Sequence, residues 1–401
     1  MEKLFKVINL DIKDKTGNLV AEAHSKVKST KYFPTFKLNG KLMIFKPLSK
    51  TKPMTTPFFA FSETYWSYII NKYFDNNTPR YQLAIVKGME NEQQKYSNKG
   101  VLVESLTDDN ESLTSLYDYF IKHPEETVNI KYYTNYCMIN YDYTKILNCN
   151  FIKNNKNTGE QLAKQILLSI LRQDQNFHYE NINFFDTEGT KITPPIDFEF
   201  STPFLYPDNQ EEYNYIKKKY EKSLSIPYEL TEMDLLFKQI KIQQGWSTVS
   251  TLTNNICTII KLYPKIVHNF IKELEVLIND LPNITLNDPD NYLEALNSNY
   301  WEVGHALYKE NNEELAEELK SKHPLIEINK KEIFNRITND ILKFATSFCN
   351  LLKLYLICYY KGITNLEDLT IKEINEKLGI KENEEIKTID IDKQQIILKT
   401  K

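Results

Sequence analysis

The chain has 401 residues, of which 41% are hydrophobic and 26% charged, a composition that predicts a folded protein with two or three domains or lobes. Its formal net charge of −4 excludes a broad basic surface, so we expect no direct nucleic-acid partner. Lys, Asn, Ile and Tyr are abundant, which we attribute to an AT-rich genome rather than to function.

The cysteines and the apolar segments favour a cytoplasmic protein. Five cysteines without CxxC spacing indicate neither a disulfide scaffold nor a zinc site, so we expect reduced, buried thiols. The first residues, MEKLFKVINLDIKD, lack the apolar run of a secretory signal. The most apolar stretch, Ile341 to Tyr360, is interrupted by polar residues and predicts a buried helix rather than a membrane span. We expect a cytoplasmic protein, or an effector delivered without an N-terminal signal.

Residues 1–105 predict a small α+β unit of mostly antiparallel strands with one helix. TFKL and KLMIFK flank Asn39-Gly40, the strongest short hairpin signal in the chain, and Lys46 closes the second strand. Ser62 is typical of a helix N-cap, with Glu63 in the first turn of the helix. Further strands are predicted at 81–86 and 100–104.

From residue 106 onwards the pattern is mainly helical. An apolar helix at 158–171 is followed by a polar segment, and then by a second hairpin in which INFF and TKIT flank a Thr-Glu-Gly turn. The chain ends in a hairpin-like pair, EEIKTIDI and KQQIILK. Other helices are predicted at 112–123, 208–223, 231–243, 249–261, 264–281, 289–308, 311–321, 331–361 and 370–378.

Lys46 and Glu63 indicate a function only when they are considered as a pair. Alone, Lys46 is a strand-end lysine that reaches solvent, and Glu63 is an acid that complements a helix dipole. A strand lysine followed by a loop and a helix bearing Glu is, however, the arrangement with which protein kinases hold nucleotide phosphates.

Two polar clusters follow the apolar helix. Asp174, Asn176, His178 and Asn181 lie within eight residues, where either turn chemistry or a functional loop explains them. Asn181 comes directly before INFF, which predicts its amide at the mouth of a strand. Asp197 is predicted to end the second strand of the second hairpin, where a carboxylate needs solvent, a cation or hydrogen-bond donors.

The order of these pieces resembles the HipA-like Ser/Thr kinases, including the CtkA type. The pieces are KLMIFKP, then SETYWSYII, then GVLVES, an apolar helix, HxxN before an apolar strand, and TPPIDFEFSTPFLYP. The resemblance covers about residues 36–207. It implies a bilobal protein-kinase-like α+β fold, with a small β-rich N-lobe at 1–105, a larger mainly α C-lobe at 106–284 and a helical C-terminal extension at 285–401.

The resemblance also implies cofactors and roles. ATP and Mg²⁺ would be the cofactors. Lys46 would contact the ATP phosphates with Glu63 as its partner, and Asn181 and Asp197 would bind Mg²⁺. His178 would correspond to a histidine that orders the catalytic loop.

The catalytic base is the main departure from the family pattern. The family's Asp lies five residues before the metal-binding Asn, and this chain has Asn176 there, with Asp174 two residues earlier. An amide cannot accept the proton of a substrate hydroxyl, which forfeits roughly 10²–10⁴-fold of general-base help. Either Asp174 reaches the site through a local bulge, or the protein binds ATP and Mg²⁺ and transfers phosphate poorly.

Three functions remain open on the sequence. The first is a protein serine/threonine kinase that acts on a protein substrate, as a toxin or effector, with an antitoxin or regulatory protein as a further partner and no membrane partner. The second is a pseudokinase that serves as a regulated binding module. The third is an α-rich interaction protein that has no nucleotide site and binds a partner through 208–223 and the helices after 285.

Overall fold

The structure is a computed structural model that describes a little more than half of the chain. The described residues are 8–11, 35–38, 41–49, 57–87, 96–107, 113–123, 143–172, 174, 177, 179–185, 191–196, 198, 249–284, 330–366, 369 and 371–400. The predicted helices at 208–223, 231–243, 289–308 and 311–321 lie outside these ranges.

The described residues form a mixed α/β structure with a small sheet and mainly helical content. The strands are β1 (Ile8–Asp11), β2 (Thr35–Leu38), β3 (Lys41–Ser49), β4 (Gln82–Lys87), β5 (Tyr96–Glu104), β6 (Leu113–Ser115), β7 (Asn183–Phe185), β8 (Glu384–Asp390) and β9 (Gln395–Thr400). The helices are α1 (Pro57–Tyr73), α2 (Leu116–Lys122), α3 (Thr144–Leu147), α4 (Asn150–Asn154), α5 (Lys156–Leu171), α6 (Val249–Leu262), α7 (Pro264–Asp280), α8 (Lys330–Tyr360) and α9 (Ile371–Lys377).

Five strands near the N-terminus form one sheet in the order β1-β4-β5-β3-β2. β1 runs parallel to β4, and the other pairs are antiparallel. The predicted β2–β3 hairpin is confirmed, because Leu38 pairs with Lys41 across the Asn39-Gly40 dipeptide. The strand β3, which carries Lys46, therefore lies in the interior of the sheet beside β5.

The sequence predicted that β3 ends at Lys46, but the strand is longer. The strand continues through Pro47 to Ser49, with an irregularity between the two. A proline is tolerated there because β2 pairs with β3 only as far as Ile44, so no strand among the described residues needs the missing N–H on that side. Lys46 is thus held inside a strand, which restricts the direction of its side chain.

Helix α1 begins at Pro57, five residues before the predicted N-cap Ser62. The prediction of Ser62 as a cap is therefore wrong, and both Ser62 and Glu63 lie in the second turn, buried. At the other end of the helix, the Tyr73 hydroxyl donates to Asp280 at 3.0 Å, and the Lys164 ammonium donates to the Phe74 carbonyl at 2.7 Å. Side chains of the helical region thus fix the C-terminal end of α1.

Helix α7 lies at the centre of the helical region and contacts α1, α5, α6 and α8. Its Phe270 stacks on Phe74 with ring centroids 5.2 Å apart, and meets Phe348 of α8 at 6.3 Å. The spacing of apolar residues at three and four positions, which predicted α6, α7 and α8, is confirmed by this buried face.

The apolar stretch Ile341–Tyr360 forms most of α8. It is long and apolar enough to cross a membrane, but 67% of it is buried inside the molecule. Residues 384–400 form the predicted terminal hairpin of β8 and β9. Asp392 in its turn contacts Lys272 of α7 at 2.8 Å, so the hairpin is joined to the helical core.

Candidate functional site

A buried ion pair joins the sheet to α1. The Lys46 ammonium of β3 donates to Oε1 of Glu63, and the side chains are only 14% and 2% exposed. Both charges have lost most of their water, so each depends on the other to offset its desolvation. The structure thus brings together the two residues that the sequence proposed as a phosphate-binding pair.

Glu63 has a second partner far along the chain. Its Oε2 accepts the backbone N–H of Phe198 at 3.2 Å, and the neighbouring Ser62 hydroxyl donates to the Phe198 carbonyl at 2.5 Å. Two consecutive residues of α1 therefore satisfy both backbone polar groups of one residue. Because Phe198 directly follows Asp197 in sequence, this contact fixes the chain beside a proposed metal-binding acid.

The ring of Phe198 is fully buried between two side chains. Tyr81 meets it edge-on, with ring centroids 5.4 Å apart, and the guanidinium of Arg172 lies 4.8 Å from the ring centroid. The Lys46 ammonium lies 5.4 Å from the Tyr81 ring. Attraction between a cation and a ring face makes both arrangements favourable when the ring is desolvated.

Asp174 belongs to a second buried ion pair. Arg172 caps the C-terminus of α5 and donates to Asp174 Oδ2 at 2.5 Å, and these side chains are 1% and 2% exposed. The Asp174 N–H donates to the Ser169 carbonyl at 3.0 Å, so the backbone also stays close to the end of α5. The guanidinium charge lies at the helix C-terminus, where the helix dipole favours a cation.

Asn181 ends a single 3₁₀ turn, Tyr179–Asn181, immediately before β7. Its side chain is half-buried, and β7 pairs with β6 while Phe184 forms a bridge to Ile192. That bridge is the part of the predicted second hairpin that the structure describes. The buried Tyr143 hydroxyl donates to the carbonyl of Phe177, two residues before this turn, at 3.0 Å, and the Tyr143 ring meets that of Tyr179 with centroids 5.5 Å apart. Asn181 thus precedes β7 in the structure, and the position of its amide at the mouth of the strand stays a prediction.

Three of the proposed site residues, Asn176, His178 and Asp197, lie outside the described residues, so their placement stays a prediction. Within the described part of the chain, no cluster of three or more His, Cys, Asp or Glu residues is suited to a metal. Arg172 was not predicted from the sequence, where its signal is a charged residue at the end of a strongly apolar helix.

No protein-family model matches the chain, and no curated protein matches it. Among solved structures, the chain is similar to the proinflammatory kinase CtkA of Helicobacter pylori, with 14% sequence identity and a TM-score of 0.39. The alignment covers 85% of this chain and 98% of that chain. The activity of this chain therefore has to follow from its own side chains.

Proposed function

We propose that the chain is an ATP- and Mg²⁺-dependent protein serine/threonine kinase of the HipA-like type, with the bilobal organisation that this implies. The observation that carries the proposal is the buried Lys46–Glu63 pair between a sheet strand and a helix. A lysine held by a glutamate in this way is oriented for phosphate oxygens, which is its role in protein kinases. The ordered series of motifs from residue 36 to 207 is the second support.

The proposed nucleotide site uses Lys46 for the phosphates and Glu63 to keep the lysine extended. The same glutamate binds the backbone after Asp197, so the phosphate-binding lysine and the metal-binding acid share one support. Such an arrangement couples the positions of two charges that must act on the same phosphate group, and positioning is the main contribution of a kinase to phosphoryl transfer.

Asn181 and Asp197 are the proposed Mg²⁺ ligands. Their amide and carboxylate oxygens are the hard ligands that Mg²⁺ prefers, so the donor set fits the ion. When bound, Mg²⁺ would neutralise phosphate charge during transfer. His178 would order the loop between Asp174 and Asn181, and the base position would be held by either Asp174 or Asn176.

The proposed partners follow from the activity. A kinase of this type would act on a protein substrate as a toxin or effector, and an antitoxin or regulatory protein would be a further partner. The division into a nucleotide-binding lobe at 1–105, a catalytic lobe at 106–284 and an extension at 285–401 is part of the same proposal.

A thermal-shift titration with Mg-ATP tests the nucleotide site. We expect Mg-ATP to raise the melting temperature of the wild type, because a ligand that binds only the folded state stabilises it. Asp197→Ala should remove the shift, and Lys353→Met, in an ion pair between α8 and α7, is the matched control that should keep it. If Mg-ATP does not raise the melting temperature of the wild type, the remaining hypothesis is the interaction protein without a nucleotide site.

The pseudokinase is the alternative function, and Asn176 is the feature that favours it. Transfer of labelled phosphate from ATP by the wild type supports the kinase. Transfer that appears only in Asn176→Asp supports the pseudokinase, because the substitution supplies the carboxylate that the wild-type position lacks.

A further inference from the structure

Tyr81 contacts both elements that supply the Lys46–Glu63 pair. It lies directly before β4 and is only 5% exposed. The Lys46 ammonium lies over its ring, with 5.4 Å between the nitrogen and the ring centroid. The Tyr81 backbone N–H donates to the Ser67 hydroxyl of α1 at 3.0 Å. One residue thus joins the strand that carries the lysine to the helix that carries the glutamate.

The register of the sheet explains how a residue next to β4 reaches a lysine of β3. Val101 of β5 pairs with Lys46 on one side and with Leu83 on the other. Tyr81 precedes Leu83 by two positions, and residues two apart along an extended chain share a face. Tyr81, Leu83 and Val101 belong to the same hydrophobic cluster as the buried side chains of α1. The ring and the ammonium therefore meet on the side of the sheet that faces α1.

The hydroxyl of Ser67 connects Tyr81 to the backbone of α1 one turn after Glu63. It accepts the Tyr81 N–H at 3.0 Å and donates to the Thr64 carbonyl at 3.1 Å, and Ser67 is fully buried. Residues four apart on a helix lie on the same face, so Ser67 and Glu63 point to the same side of α1. The helix therefore restricts the position of the Tyr81 backbone relative to the Glu63 carboxylate.

An aromatic ring is well suited to orient a lysine that has to bind phosphate. A ring face attracts a cation through its quadrupole, and the attraction is stronger where water is excluded. The ring carries no net charge, so it orients the ammonium without neutralising it, which a second carboxylate would do. The Lys46 side chain is only 14% exposed and contacts both the Glu63 carboxylate and the Tyr81 ring. The two contacts together restrict the direction of the ammonium.

We propose that Tyr81 is a positioning residue for phosphate binding, which acts through Lys46 by the contact between its ring and the ammonium. The inference rests on the proposed nucleotide site, in which Lys46 binds the ATP phosphates. Tyr81 itself touches neither the nucleotide nor the metal ion in this proposal. It therefore determines how much the phosphates add to nucleotide affinity, and not how tightly the nucleoside binds.

Calorimetric titration of ATP and of adenosine into the full chain, with Mg²⁺ present in both, tests this role. The ratio of the adenosine to the ATP dissociation constant measures what the phosphates contribute to binding. A smaller folded fraction weakens both ligands by the same factor, whereas a displaced Lys46 changes the ratio. If the wild type binds neither ligand, or binds both equally tightly, the proposed function has failed, which differs from every outcome below.

Tyr81→Leu should lower this ratio roughly threefold or more and leave the adenosine dissociation constant near its wild-type value, because an aliphatic side chain offers the ammonium no ring face. Tyr81→Phe keeps the ring and should keep the ratio within about twofold of the wild type. An unchanged ratio in Tyr81→Leu, or an equal loss in Tyr81→Phe, would overturn the proposal. If Tyr81→Leu does not fold, Tyr81→Met replaces it with the same expectation, since Met fills irregular core space without a ring.

A double-mutant cycle shows whether Tyr81 acts through the lysine. Lys46→Met alone should lower the ratio, and adding Tyr81→Leu should lower it no further, because the ammonium that the ring orients is already gone. A further fall in the double variant would mean that Tyr81 acts through another group, such as the Phe198 ring at 5.4 Å, and would overturn the proposal.

Tyr355→Leu removes a buried ring from α8 and is the control for general destabilisation. It should lower the melting temperature and keep the ratio of the two dissociation constants. A ratio that falls as far in Tyr355→Leu as in Tyr81→Leu would show that loss of any buried ring has this effect, and the role of Tyr81 would then be overturned.

Discussion

Glu63 accepts the backbone N–H of Phe198 at 3.2 Å across a separation of 135 residues. The other oxygen of the same carboxylate accepts from Lys46. One side chain in α1 therefore connects the sheet to the segment around Asp197. A single substitution at this position should disturb stability and nucleotide binding together.

Glu63→Gln should destabilise the fold by about 1–3 kcal/mol, because it removes the negative charge from a largely buried ion pair with Lys46. Urea unfolding measures this loss. The exposed pair of Lys41 and Glu104 offers the control, since both side chains are about half exposed or more. Glu104→Gln should change the free energy of unfolding by less than about 1 kcal/mol. Equal effects at the two positions would contradict the structural role of Glu63.

Gly100→Ala should disturb Lys46 without touching its side chain. A Cβ at Gly100 would lie 2.3 Å from the Lys46 carbonyl oxygen and 2.8 Å from the Phe45 ring, so β3 and β5 would have to separate. We expect a loss of stability of about 1–3 kcal/mol, as for overpacked cores, and weaker binding of ATP. Thermal unfolding and ATP titration measure the two effects.

Gly379→Ala is the matched control for Gly100. Gly379 has a φ of +75° with open space around a Cβ, so Ala should cost about 1 kcal/mol through backbone strain alone. It should leave ATP binding unchanged, because Gly379 lies between α9 and β8, away from β3. If Gly100→Ala left both stability and ATP affinity at wild-type values, the close approach of β3 and β5 would be wrong.

The elements with strong periodicity were predictable from the sequence, and the contacts between distant elements were not. The Asn39-Gly40 hairpin and α6, α7 and α8 follow from local patterns. The start of α1 at Pro57 could not be predicted in this way, because Ser62 has the chemistry of an N-cap. The actual partner of Ser62, the Phe198 carbonyl, lies 136 residues away. Partners at such separations leave no local signal.

The candidate site likewise contains one ion pair that the sequence predicted and one that it did not. Lys46 and Glu63 were predictable as a pair because a known arrangement of strand, loop and helix places them together. The pairing of Asp174 with Arg172 was missed, although only two positions separate them, because a polar loop was expected after α5. Burial of both charges depends on Phe198 and the helical core, which the sequence around position 172 does not indicate.

Cys349 and Cys358 should be nearly inert to alkylation at pH 8. Burial raises the pKa of each thiol from 9.0 to about 11, so the reactive thiolate is about a hundredfold rarer than in an ordinary thiol. Iodoacetamide labelling of the native protein, followed by mass spectrometry, should modify the half-buried Cys149 and Cys257 before Cys349 and Cys358. Labelling in urea is the control and should proceed at all five cysteines of the chain. Rapid native modification of Cys349 would contradict the packing of α8.

Glu273 should make the stability of the fold depend on pH. Burial raises the pKa of Glu273 above 4.5, and Lys164, which donates to it at 2.8 Å, only partly opposes the shift. An acid with a raised pKa in the folded state holds its proton more tightly there than in the unfolded chain. Its contribution to stability is therefore complete below pH 4.5 and is lost as the pH rises through the folded-state pKa.

Glu273→Gln removes this titration, so the free energy of unfolding of the variant should fall less than that of the wild type as the pH rises from 4.5. Urea unfolding at pH steps between about 4.5 and 7 measures the difference between the two curves. Glu275→Gln on the same helix is the control, because Glu275 is more exposed, at 43%, and pairs with Lys353. The prediction is wrong if the free energy of unfolding of Glu275→Gln, relative to the wild type, rises with pH while that of Glu273→Gln stays constant. The acid with the raised pKa would then be Glu275.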